Sequence, residues 1–331
     1  MYHIHPKYRT IVVISTLFYI FITIIMSLNL KDENLTIHNT THDNRIQNAI
    51  NDNNTKERNL TNDELIDTYL LSQEQWSQEL NREDYNEVYK KKIRWNNQLY
   101  YFGDTHRTDY KHPEYIEINQ LAEEFYQKNK WKRNIILIEW SRWISTEKIL
   151  SEDVASARQA YVKFAINNNF ERLSPEPIFS EELDYVVSKW IPRENYAYYY
   201  IARAAVQRHR WPQTKTIEKY LDNCIGNDIE FESILWKTYS LELFEELHRD
   251  IFEEKRDINH HAWFRYHASP IHWSPVNEVS KASWHFRDLY ISKVILEFLD
   301  KWYNILTSFG RSHLSQQCKI YDRYFEQQEK R

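Results

Sequence analysis

The sequence predicts an α/β fold, a mixed and mostly parallel sheet flanked by helices, with a large helical insertion and one transmembrane helix in front. Three observations carry this. A strand-like run "NQLYYF" (97–102), a helix-patterned stretch and a continuous apolar run "NIILIEW" (134–140) follow one another closely, the signature of a βαβ unit with parallel strands. The long middle of the chain is patterned as helix, and the apolar stretch "NILTSF" (304–309) returns to strand near the end. Ahead of all this, Thr10 to Leu30 carries no charge, and at about 1.5 Å per residue such a helix is roughly 30 Å long, the thickness of a hydrocarbon core.

That apolar run exceeds the roughly 7–15 residues of a cleaved signal peptide, and "SLNLKDEN" after it offers no Ala-x-Ala pattern. It reads as an uncleaved anchor. Lys7 and Arg9 precede it and Asp32 and Glu33 follow, so the positive-inside rule keeps 1–9 in the cytoplasm and the rest outside or in a lumen, a single-pass type II topology. Residues 31–62 hold no aromatic residue and many Asn, which cannot bury enough surface to fold; they read as a disordered stalk. The stalk holds Asn-x-Ser/Thr sequons at Asn34, Asn39, Asn53 and Asn59, as a glycoprotein stalk would.

The folded domain is expected over 63–331. "TNDE" at Thr61 is a capping box ahead of a helical stretch running toward Lys92. The strand at 97–102 ends at Gly103. Pro113 then suits the first helical position, with Ile118, Leu121, Ala122 and Phe125 at helical spacing. After the strand at 134–140, helices are expected at 151–166, 180–191 and 196–211, then from Ile234 to about Glu254. An irregular segment (259–279) crowded with His and Trp precedes a last helix from near Trp284 to Tyr303.

Composition narrows the function. A net charge of -5 without a basic block excludes the electrostatic footprint of a nucleic-acid binder. The two cysteines, Cys224 and Cys318, exclude a disulfide framework and leave a single bridge open. With 42% hydrophobic and 15% aromatic residues, the domain can build a large core.

Only 3 of the 331 residues are glycine, and two of them begin "GDTH" and "GRSH", each after a predicted strand and each with His at the third following position. In α/β sheets ligands bind where strands end, and Gly there permits a positive-φ exit, which would hang His106 and His313 over the crevice. Glu139 ends the run "IILIE", placing a carboxylate at the end of a neighbouring strand. Asp104 stands two residues from His106. Two imidazoles with carboxylates suit a divalent transition metal or acid–base chemistry on water. Arg287 shares a helix face with Ile291, Ile295, Phe298 and Trp302; lying in a first turn, where the dipole disfavours a cation, it calls for an anionic partner. Glu176 in "SPEP" is a further carboxylate candidate, while Arg203, Gln207 and Arg210 share a helix face that can take an anion. His260, His261, His267, His272 and His285 lack regular ligand spacing.

The ordered set Gly103-Asp104-Thr105-His106, Ile136-Leu137-Ile138-Glu139, Arg287-Asp288 followed by Ile291, and Gly310-Arg311-Ser312-His313-Leu314 resembles the erythromycin-esterase/ChaN-like and TraB/Tiki superfamily. The resemblance implies an α/β fold with the motifs at one sheet edge and hydrolysis of an ester or peptide bond in a small molecule or peptide. From its branches it implies a metal (Mn, Co or Zn) on His106, His313 and Glu139, with Asp104, Arg287 and Asp288 in supporting roles, or else haem iron in a non-catalytic binding protein. Asp104 stands where the esterase and ChaN branches carry Glu, and the anchor is N-terminal, unlike Tiki-like proteins.

Overall fold

The structure, a computed structural model, describes residues 59–72, 75, 88–92, 97–105, 112–139, 157–210, 216–226, 228–252 and 261–330. The chain divides after Arg58, and the second unit, Asn59–Arg331, carries the fold that follows. The expected anchor at 10–30, the tail before it, the sequons at Asn34, Asn39 and Asn53, and His106 and His260 lie outside the described residues. Among the described residues, no helix is long and apolar enough to cross a membrane.

The folded chain opens with α1 (Asn62–Tyr69), set by the expected capping box: the Glu64 amide donates to Thr61 Oγ1 at 3.3 Å and the Thr61 amide to Glu64 Oε2 at 2.8 Å. Leu65 and Ile66 are its buried face. The helix does not run on toward Lys92. Val88–Lys92 is instead strand β1, an antiparallel edge on β2 (Gln98–Asp104). Its sequence VYKKK has too little apolar content to hold a helix on a core, whereas the free edge of β2 satisfies its backbone, and lysines suit an edge.

α2 (Pro113–Asn129) begins at Pro113 as expected, with His112 as N-cap, and buries Ile118, Leu121, Ala122 and Phe125. It leads to β3 (Asn134–Ile138), buried throughout. After α3 (Ala157–Asn167), Asn169 at φ 53° turns the chain into β4 (Glu171–Leu173), which pairs in parallel with β3. Three partly exposed residues leave no alternation to read, so β4 was illegible in the sequence.

The helical insertion comprises α4 (Phe179–Ser188), α5 (Arg193–Arg210), α6 (Ile217–Ile225), α7 (Ile229–Leu235), α8 (Leu241–Phe252) and α9 (His261–His267). The single helix expected from Ile234 is broken by Trp236 at φ 58°, and the segment read as irregular contains α9. α10 (Pro275–Asp300) starts well before Trp284, because Ser274 caps it and Pro275 fits its first position. It is followed by β5 (Asn304–Gly310) and α11 (Arg311–Glu329).

The sheet order is β1-β2-β5-β3-β4, with every pair parallel except β1 and β2. The last strand in sequence thus fills the centre, between β2 and β3. Alternation along it serves two cores. Ile305 and Phe309 join Leu99, Tyr101, Ile135 and Leu137 against α1, α10 and α11, while Leu306 joins Tyr100, Phe102, Ile136 and Ile138 against α2 and α3. A third core packs the insertion against the start of α10, and includes Tyr198, Leu221, Phe231, Phe244, Val276 and Val279.

The glycine expectation fails in its mechanism, since no described glycine has positive φ. Gly310 caps α11 at φ −49°, so β5 passes into the helix at an ordinary φ. Left-handed backbone falls instead at Asn169, Trp190, Trp236 and Trp302.

Candidate functional site

The parallel strands deliver their carboxyl ends to one place. Asp104 closes β2 in register with Gly310 of β5, and Ile138 of β3 pairs with Ser308, so Glu139 leaves β3 beside the end of β5. The Glu139 amide donates to the Ser308 carbonyl at 3.4 Å. α10 contributes Arg287 and Asp288 from its middle.

Arg287 is 6% exposed, and its Nη2 donates to Glu139 Oε1 at 3.1 Å and to Glu176 Oε1 at 2.6 Å. Glu139 Oε2 accepts from the Gly310 amide at 3.1 Å, which ties the end of β5 to the ion cluster. Burial works against the Arg287 charge, and Glu176, Glu139 and Glu182 outweigh it, holding the guanidinium pKa above its ordinary value. The expected anionic partner is therefore present, but for a different reason: Arg287 lies mid-helix, so burial rather than the dipole demands it. Glu176, a secondary candidate in sequence, is a full member of the cluster at 7% exposure, with Ser174 Oγ donating to its other oxygen at 3.3 Å.

His313 stands on the first turn of α11. Its Nδ1 is 2.7 Å from Asp288 Oδ1, which also accepts from Gln317 Nε2 at 2.6 Å; Tyr321 donates in turn to Gln317 Oε1 at 2.7 Å. The ring stacks on Trp284 at 5.7 Å and 16°, with Phe309 edge-on, and the residue is only 2% exposed. A carboxylate on Nδ1 fixes tautomer and ring orientation.

Asp104, 8% exposed, faces the carboxyl of Glu114, a residue the sequence reading overlooked. Glu114 accepts from the Thr105 amide at 2.8 Å and from Thr105 Oγ1, so it grips the Asp104-Thr105 exit of β2. Burial, then the Asp104 carboxyl, push its pKa above the ordinary carboxylate range. The signal was available: a carboxylate at the second position of a Pro-led helix, one short loop after the motif.

A cavity of about 260 Å³ adjoins the cluster. Glu176 and Arg287 form one side; Phe179, Tyr196, Tyr200 and Ile225 supply apolar lining, and Arg203 and Gln207 from the expected anion face reach it. Arg203 stands over the Tyr199 ring at 5.5 Å and donates no hydrogen bond to any described residue. Glu182 is held in the wall by Tyr196 at 3.0 Å and Ser283 at 2.6 Å.

The proposed metal set is not assembled by what is described. His106 lies outside, and among the described residues no three His, Cys, Asp or Glu side chains gather to hold an ion. Glu139 already accepts from a buried guanidinium at 3.1 Å, a cation that would repel a second one. Of the described members of that set, His313 has its ring oriented by Asp288, as a metal-ligating imidazole would. Within the histidine-rich segment, His267 lies against Trp263 at 4.1 Å and bonds Ser274, and His272 stacks on Tyr266 at 4.2 Å. Cys224 and Cys318 are free thiols. Comparison of the chain with protein-family models, curated proteins and solved structures finds no match in any of the three.

Proposed function

We propose that this chain is a membrane-anchored hydrolase of ester or peptide bonds, working at the Glu139, Glu176 and Arg287 cluster. The observation that carries the reading is a buried guanidinium, clamped by two carboxylates at the carboxyl ends of parallel strands, that borders a cavity of about 260 Å³. The motif resemblance and the uncharged run at 10–30 with its flanking charges agree with it.

In this scheme the scissile carbonyl enters along the Phe179, Tyr196 and Tyr200 wall. Arg287 stabilises the oxyanion of the tetrahedral intermediate. Glu176, on the cavity side of the pair, accepts the proton of the attacking water and returns it to the leaving group. Asp288 and His313 hold the end of β5 and the first turn of α11 in place. By the resemblance, His106 assists in activating water.

A second reading, ligand binding without turnover, is favoured by the burial of His313 between Trp284 and Phe309. One experiment separates them. The full chain in detergent is assayed on ester and peptide panels beside Arg287→Ala and Glu176→Gln, with bound metal and haem measured in the same preparations. Hydrolysis lowered about 100-fold or more in both variants, assayed at a temperature where circular dichroism shows each to be folded, supports the hydrolase. Turnover absent from the parent protein with a ligand retained supports the binding role. Stoichiometric metal lost on His106→Ala would reinstate the ion the charge argument disfavours.

A further inference from the structure

The opposite end of the sheet presents two tryptophans to solvent. Trp131 is 90% exposed in the turn before β3, and Trp302 is 64% exposed in the turn before β5. Those strands are neighbours, and their entry turns are joined: the Asn304 amide donates to the Arg133 carbonyl at 2.9 Å, and Arg133 Nη1 to the Lys301 carbonyl at 3.2 Å. Lysines flank both rings. The local sequences are Lys130-Trp131-Lys132 and Lys301-Trp302, all exposed.

Carboxylates and cations both stand at this end. Asp300 accepts from Asn62 and Tyr324, Glu171 accepts from Tyr303, and Glu297 lies 4.0 Å from Lys301. Lys130 and Lys132 make no ion pair with any described residue. The first described helix also starts here: Asn62 of α1 donates to Asp300 at 2.7 Å.

We infer that this face, centred on Trp131 and Trp302, rests on a lipid bilayer containing anionic headgroups. Exposed indole rings flanked by lysines suit the headgroup boundary, where the ring meets acyl chains and the ammonium reaches phosphate. This rests on the anchored part of the reading above, and not on hydrolysis. It would turn the carboxyl ends of the strands, with Arg287 and Glu139, away from the bilayer.

The test uses the full chain reconstituted into vesicles of phosphatidylcholine and phosphatidylglycerol, with and without bromine on the acyl chains. Residues 10–30 contain no tryptophan, so quenching of indole fluorescence reports on the rest of the chain. The parent protein is expected to be quenched by brominated lipid, and Trp131→Phe/Trp302→Phe to lose most of that quenching. Trp273→Phe, 73% exposed at the far end of α10, is expected to keep it. Flotation with vesicles but no quenching, or equal quenching in the double variant, overturns the docking face while leaving the anchor standing; the face would then belong to another occupant such as a second copy. Failure to float overturns both.

Discussion

At the residue scale, the site is a set of buried charges whose partners were chosen by position rather than by sequence proximity. Glu114 illustrates the consequence for pH. Its folded pKa is raised, first by burial and then by Asp104, so the folded state favours its protonated form. The stability this contributes is complete below the ordinary carboxylate range and is lost as pH rises through the folded pKa. The thermal midpoint of Glu114→Gln, which cannot ionise, should therefore gain on that of the parent as pH rises above the ordinary carboxylate range. A midpoint difference that stays flat as pH rises would mean that burial does not raise the Glu114 pKa. Arg287 and Glu176 belong to the same scale. Residue types and motif spacing put Glu139, Arg287 and His313 on view in the sequence, whereas the rank of Glu176 depended on its burial, and Glu114 on its contact with Thr105 at the end of β2.

At the element scale, the helix ends are unusual in that three of the four left-handed residues described are tryptophan. A β-carbon in this conformation costs on the order of 1–2 kcal/mol, which glycine avoids. Trp236 is 81% exposed, and its amide closes the end of α7 on the Glu232 carbonyl at 2.8 Å. Trp236→Gly keeps that bond and removes the strain, and after the entropy glycine adds to the unfolded chain it should stabilise by about 0.5–1 kcal/mol. Urea unfolding checks it, and a loss of stability would show that the indole packs in a way its exposure conceals. Elements with a long period were legible: α2 and α4 by apolar spacing, β2, β3 and β5 by apolar runs. β1 and β4 were not, because both are short edges whose hydrogen bonds come from a neighbour rather than from their own pattern.

At the scale of the whole molecule, the three cores predict two kinds of damage. Leu306 sits in the central strand, so Leu306→Ala should cost about 2–5 kcal/mol and lower protection of the entire sheet. Phe231 belongs to the core of the insertion, and Phe231→Ala should speed amide exchange in α5 to α8 well before it does so in β2 and β5. Hydrogen exchange followed by mass spectrometry reads both. Equal loss everywhere in Phe231→Ala would mean that insertion and sheet unfold as one unit. Such partial independence suits a cavity whose one side is Arg287 of the long helix and whose other is α5 and α6.

The sequence by itself determined the α/β class, the parallel strands, the order of the motifs and the capped starts at Thr61 and Pro113, because these follow from local periodicity and local hydrogen bonding. Only the tertiary structure decided that β5 enters the middle of the sheet, that Glu176 closes on Arg287, and that Glu114 grips Thr105. Each of those joins residues that are not neighbours in the chain, and the free energy that selects them, burial of charge against a compensating charge and of apolar surface on two sheet faces, exists only once the chain is packed.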